Sequence, residues 1–168
     1  SNNTGDLRQG KKMDGTVDNN DSGNFEQYVT VNGDGNTVNT SQVNSNGANS
    51  DHHMSHILTG DSNTLSHEQF ANNKKQGYIE ITGDSNTVSL QQRNGANHLA
   101  DINLTGDDHT VTGTQWGQGG AHNFTVDLTN SGGAYNMSTT QTSNTAQTYS
   151  LTGSCATVGG CAVSVFQN

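Results

Sequence analysis

One six-residue phrase returns along this chain at nearly constant intervals, and any fold assigned to it must account for that return. Gly33-Asp34-Gly35-Asn36-Thr37-Val38 recurs as Gly60-Asp61-Ser62-Asn63-Thr64-Leu65, as Gly83-Asp84-Ser85-Asn86-Thr87-Val88 and as Gly106-Asp107-Asp108-His109-Thr110-Val111. Looser copies follow from Gly132 and Gly153, and counting back one period from Gly33 puts the first copy near Gly10. A period of this size marks a repeat architecture, in which each unit buries its apolar face only against its neighbours.

Each copy reads as two short strands. Thr87-Val88-Ser89-Leu90-Gln91-Gln92 alternates with period two, Arg93-Asn94-Gly95-Ala96-Asn97 is a polar turn, and Leu99-Ala100-Asp101-Ile102-Asn103-Leu104 alternates again before the next Gly. Alternation bounded by Gly, Asn and Asp is the strand signature. The repeat therefore predicts an all-β fold, a β-solenoid of stacked strand-turn-strand repeats with two sheets and about six to seven turns. It occupies residues 14–168, behind an N-terminal polar segment at residues 1–13. Composition agrees. Only 27% of residues are hydrophobic and 5% aromatic, too few for an ordinary globular core, and there is no proline to remove a ladder donor.

Alignment on the repeated Gly shows which positions face inward. Five residues after it stand Val38, Leu65, Val88 and Val111, followed by Met137 and Val158. Two residues before it stand Val31, Leu58, Ile81 and Leu104, continued by Leu128 and Leu151. Four before it stand Val29, His56, Ile79 and Ile102, continued by Val126 and Tyr149. Nine after it stand Gln42, Gln69, Gln92, Gln115 and Gln141, with the parity of the apolar column. A buried Gln must satisfy both halves of its amide. Copies stacked ~4.8 Å apart do so by donating from each amide to the next.

The phrase Val88-Ser89-Leu90-Gln91-Gln92-Arg93-Asn94-Gly95-Ala96-Asn97, with Gln followed five positions later by Asn, resembles the curlin repeat of bacterial biofilm fibres, as does Gln115-Trp116-Gly117-Gln118-Gly119. Gln42, Gln69 and Gln141 keep the first Gln of that pattern, but Gly47, Lys74 and Ala146 stand at the Asn position. The second strands close on Leu, Ile or Val where curlins carry another inward Gln. The resemblance implies a secreted subunit of an amyloid-like extracellular fibre in the biofilm matrix. Its implied partners are further copies of itself, a nucleator subunit and an outer-membrane secretion pore.

Other chemistry is weighed against that expectation. A net charge of −9 argues against nucleic acid and anionic membrane surfaces, and no run of 18 apolar residues is present to insert in a bilayer. His52, His53 and His56 lack convergent partners at metal-ligand spacing, so neither a metal nor a cofactor is expected. Asp34, Asp61, Asp84 and Asp107 form a corner column that suits turn chemistry better than a cation site. Mutual repulsion of those stacked carboxylates would make acid favour the stack. Thr37, Thr64, Thr87 and Thr110 face outward, and a Thr/Ser face offers an ice-binding or adhesin alternative. No acidic pair with nearby basic groups suggests a glycosidase, so no enzyme is expected.

Cys155 and Cys161 would lie about 20 Å apart in a straight strand, whereas a disulfide needs Cα atoms within ~7 Å. Gly159-Gly160 permits a reversal, so a disulfide-closed terminal loop is expected. The last strand, Ala162-Val163-Ser164-Val165-Phe166, alternates without a cap. Val163 and Val165 there mark the expected polymerisation edge.

Overall fold

The computed structural model describes residues 2–9, 23–44, 50–94, 96–130 and 133–168. Gly10, Gly47, Gly95 and Gly132, singled out above, lie outside them, as does the proposed boundary at residues 13 and 14. The described residues form two parallel sheets and no helix. The first sheet holds β1 (Thr4–Gln9), β3 (Thr37–Val43), β5 (Thr64–Phe70), β7 (Thr87–Arg93), β9 (Thr110–Trp116), β11 (Tyr135–Gln141) and β13 (Cys161–Gln167). The second holds β2 (Gly23–Asn32), β4 (Ser50–Thr59), β6 (Lys75–Thr82), β8 (His98–Ile102), β10 (His122–Asn130) and β12 (Gln147–Cys155). The chain alternates between sheets at each corner, which is a β-solenoid. Among the described residues it comprises six strand pairs and a thirteenth strand.

Pairing is in register along the axis. Val38 lies beside Leu65, Leu65 beside Val88, Val88 beside Val111 and Val111 beside Met137. These five side chains are at most 2% exposed. Leu58, Ile79, Ile81, Ile102 and Val126 close the core from the second sheet, joined by Leu104 just beyond β8.

The corner explains the constancy of Gly and Asp. Gly60 and Gly83 have φ of +118° and +119°, and a Cβ on Gly83 would stand 2.1 Å from the carbonyl oxygen of Gly106. Only Gly meets both conditions. Ser62 N–H donates to the Asp34 carbonyl, and Ser85 N–H to that of Asp61, at 2.9 Å. Backbone bonds thus tie each corner to the one before it.

Neighbouring coils differ inside. His67 occupies the space a side chain on Gly77 would need, since a Cβ there would approach His67 Cε1 to 2.2 Å. A Cβ on Gly113 would come within 3.0 Å of Phe124 Cε1 and 3.1 Å of Leu90 Cδ1. A large residue in one sheet therefore faces a Gly in the other.

Three expectations need correction. Thr4–Gln9, placed in the leading polar segment, is a strand of the first sheet, with Gly5 beside Val38, Leu7 beside Thr40 and Gln9 beside Gln42. Gly5 stands where later copies carry Val or Leu, and 33 residues separate Thr4 from Thr37, so the repeat is hidden. Val158 is 95% exposed in the final turn, and Val163 takes its place beside Met137. The copy anchored on Gly153 is displaced too: Gly153 lies within β12 beside Leu128, Leu151 pairs with Val126 and Tyr149 with Phe124. Gly153 sits inside β12 and not at the corner, so the count from Gly fails in this copy.

Candidate assembly site

The Gln column is an unbroken amide ladder. Gln42, Gln69, Gln92, Gln115 and Gln141 are at most 1% exposed. Gln42 Nε2 donates to Gln69 Oε1 at 3.1 Å, Gln69 to Gln92 at 2.9 Å, Gln92 to Gln115 at 2.8 Å and Gln115 to Gln141 at 3.3 Å. Two residues outside the sequence alignment extend it: Gln9 donates to Gln42 at 3.3 Å, and Gln141 to Gln167 at 2.7 Å. Each Nε2 also donates to a carbonyl of the second sheet, as Gln92 does to Gln76 at 2.9 Å. The ladder thus joins coil to coil and sheet to sheet.

All these side-chain donors point the same way, from the N-terminal coil to the C-terminal one. The ladder is polar. Gln9 Oε1 lies at its acceptor end, and Gln167 Nε2 at its donor end.

A second ladder runs through the Asn of the repeated phrase. Asn36, Asn63 and Asn86 are fully buried. Asn36 Nδ2 donates to the Gly60 carbonyl at 2.8 Å, while Asn36 Oδ1 accepts from Asn63 N–H at 2.9 Å. Asn3 begins this ladder with a bond to the Gly33 carbonyl, and His109 ends it by accepting from Tyr135 N–H at 3.0 Å. The signal was the constant Asn two residues after Asp, obscured at His109.

The Asp column performs turn chemistry. Asp61 Oδ1 accepts from Asp34 N–H at 2.7 Å, Asp84 from Asp61 at 2.7 Å and Asp107 from Asp84 at 2.8 Å. Each carboxylate is thereby bonded to the backbone of the preceding corner. Among the described residues no group of three or more His, Cys, Asp and Glu is placed to hold a metal ion.

A third column lies at the starts of the second-sheet strands, where Phe25, His52, Lys75 and His98 are register neighbours. His52, Lys75 and His98 are at most 2% exposed. Lys75 Nζ donates to the carbonyls of Asn72, Asn73 and Ala96. Burial pushes the ammonium down to about 7. Burial, reinforced by Lys75, lowers His52 to about 4 and His98 to about 3. In the middle of the core, His56 Nε2 meets His67 Nδ1 at 2.9 Å. Burial lowers His67 to about 4 and takes His56 well below its ordinary range. Sequence reasoning places His56 inward but misses His67, whose space is left by Gly77 in the facing sheet.

The end coils differ from the middle. Leu7 is 55% exposed, although its register neighbour Thr40 is buried. Val163, Val165 and Gln167 are half-buried at the other end, as are Tyr149 and Leu151 in β12. Among the described residues, the inward side chains of the first and last coils are thus less covered than those of the middle.

Cys155 and Cys161 form a disulfide with Cα atoms 5.8 Å apart, tying the end of β12 to the start of β13. Closing so short a loop contributes about 2 kcal/mol. Reduction is expected to lower the melting temperature accordingly. It should also speed amide exchange in β13 while leaving β5 and β7 protected; equal exchange in β13 before and after reduction would contradict this role.

No protein-family model matches the sequence, and neither a curated protein nor a solved structure matches it. The fold itself defines a class: a parallel, two-sheet β-solenoid repeat protein with internal amide ladders.

Proposed function

We propose that this chain is a structural subunit of a secreted, amyloid-like extracellular fibre, growing by head-to-tail stacking of solenoids. The carrying observation is the incomplete cover of the terminal coils among the described residues, with inward side chains half-exposed in β13 and Leu7 exposed in β1. Strand edges in soluble proteins are usually covered or blunted. Here β13 presents its ladder groups to β1 of the next copy, and the donor end at Gln167 meets the acceptor end at Gln9. Head-to-head contact would set acceptor against acceptor. The junction is therefore heterologous and propagates.

The curlin resemblance adds the setting: a biofilm matrix or cell-surface fibre serving adhesion, with a nucleator subunit and an outer-membrane pore as partners. The role is structural, not enzymatic.

The test is growth. Wild-type protein should form unbranched fibres with a 4.7–4.8 Å meridional spacing and an axial repeat of about 30 Å, six to seven strand spacings. Replacing Val163 and Val165 with Lys should abolish elongation while leaving the monomer's circular dichroism unchanged. A wild-type protein that stays monomeric at high concentration for days sinks the reading.

One observation favours a second reading. Thr4, Thr37, Thr64, Thr87 and Thr110 are register neighbours in one outer column of the first sheet. Asn136 interrupts the column beside Thr110. Thermal hysteresis from soluble monomer would favour an ice-binding role.

A further inference from the structure

The outer face of the second sheet carries aromatic side chains that no part of the assembly requires. Tyr28, Ser55 and Tyr78 follow one another in an outward column across β2, β4 and β6. Tyr28 is 60% exposed and Tyr78 43%, in a chain with only four tyrosines. Ser55 is small, and the His53 ring lies between the two tyrosines, with centroids 5.9 Å from Tyr28 and 5.6 Å from Tyr78. The three rings make a run along the solenoid axis. The same column continues as Asp101, Thr125 and Ser150, so the run is confined to the first three of these strands.

Beside the rings lies an open groove of about 320 Å³ crossing the same three strands. Glu26, Asp51, Lys74 and Gln76 line it together with His53 and Tyr78. His53 Nδ1 is 3.2 Å from Glu26 Oε2. Glu26 and Asp51 against Lys74 give the groove a formal charge of −1 with histidine counted as neutral, which disfavours an anionic ligand. The polar groups both donate and accept. Exposed ring faces beside such groups suit a ligand with apolar C–H faces and hydroxyl edges. The two tyrosines lie two strand spacings apart, about 10 Å, a distance matched by two linked pyranose rings in an extended chain.

We propose that this groove, together with the Tyr28 ring that adjoins it across His53, binds a neutral, extended, β-linked glycan lying along the solenoid axis, with sugar faces on Tyr28 and Tyr78 and hydroxyls on Glu26 and Gln76. The proposal does not rest on the fibre reading, because the whole groove lies within one chain.

The experiment uses soluble monomer, with cellohexaose as probe and amide chemical shifts as readout. Saturable shifts are expected on β2, β4 and β6 and not on the first sheet. Tyr28→Ala and Tyr78→Ala should each weaken binding roughly tenfold, while Tyr78→Phe retains it and Thr112→Ala on the opposite sheet has no effect. Maltohexaose, which is α-linked and curved, should bind more weakly, and a sulfated heparin hexasaccharide should not compete. Absence of saturable shifts in the wild type overturns the proposal, whether or not the variants fold. Shifts confined to other surfaces, equal affinity for maltohexaose, or preference for the sulfated sugar also overturn it.

Discussion

Replacing Gln92 with Ala is expected to destabilise the folded chain by on the order of 4 kcal/mol, because several buried partners each lose a bond at about 1–3 kcal/mol. Gln92 Oε1 accepts from Gln69 Nε2 at 2.9 Å and contacts His67 Nε2 at 3.2 Å, while its own Nε2 donates to Gln76 and Gln115. Of these partners, Gln69, His67 and Gln115 are buried in the middle of the stack. Gln91 faces outward in the same strand, and its replacement by Ala should change stability by no more than about 0.5 kcal/mol. Urea denaturation of both variants measures the contrast. Equal midpoints would mean that the ladder adds nothing beyond the backbone pairing.

Acid is expected to unfold the solenoid, the opposite of what repulsion in the Asp column suggests. The Asp carboxylates are bonded to backbone amides, and the dominant buried titratable groups are histidines. An unfolded His takes a proton near pH 6.5, whereas buried His67 resists until about 4. Between those values the unfolded chain binds more protons, so stability falls as pH falls. The loss is complete once pH has dropped through the folded value, and for His67 alone it is about 3 kcal/mol. His56, Gln92, the buried Thr40 beside it in β3 and the more distant His52 face His67, and none of these is a carboxylate. His52 and His98 add losses of the same sign, with Lys75 between them. Thermal melts should show a falling midpoint from about pH 6.5 towards pH 4. A flat profile across that window, or a His67→Leu variant with unchanged acid sensitivity, would refute the assignment.

The fold was legible because the core is a set of columns, and columns survive sequence drift. Val38, Leu65, Val88 and Val111 are spaced by a corner whose geometry admits only Gly, so their register could be counted. The count failed where the corner changes. The disulfide loop moves Val158 out and Val163 in, and the 33-residue step from Thr4 to Thr37 hides β1. Pairings between sheets were not legible at all. That Gly77 makes room for His67, and Gly113 for Phe124, depends on which residues meet across the interior, and a single strand carries no such information. The end glutamines were missed for a related reason: Gln9 and Gln167 belong to the ladder by stacking, not by distance from a Gly.

The unidirectional ladder and the in-register pairing put nearly all coil-to-coil bonds along the stacking axis. Tension on a fibre of such subunits would load every bond at one interface together, so rupture demands that they fail at once. Inside a subunit the covalent corners share that load; at a subunit junction nothing covalent does. Fracture would fall at junctions and expose an intact donor end and an intact acceptor end. Shear would then multiply growth sites without damaging the protein, and a broken fibre would act as seed.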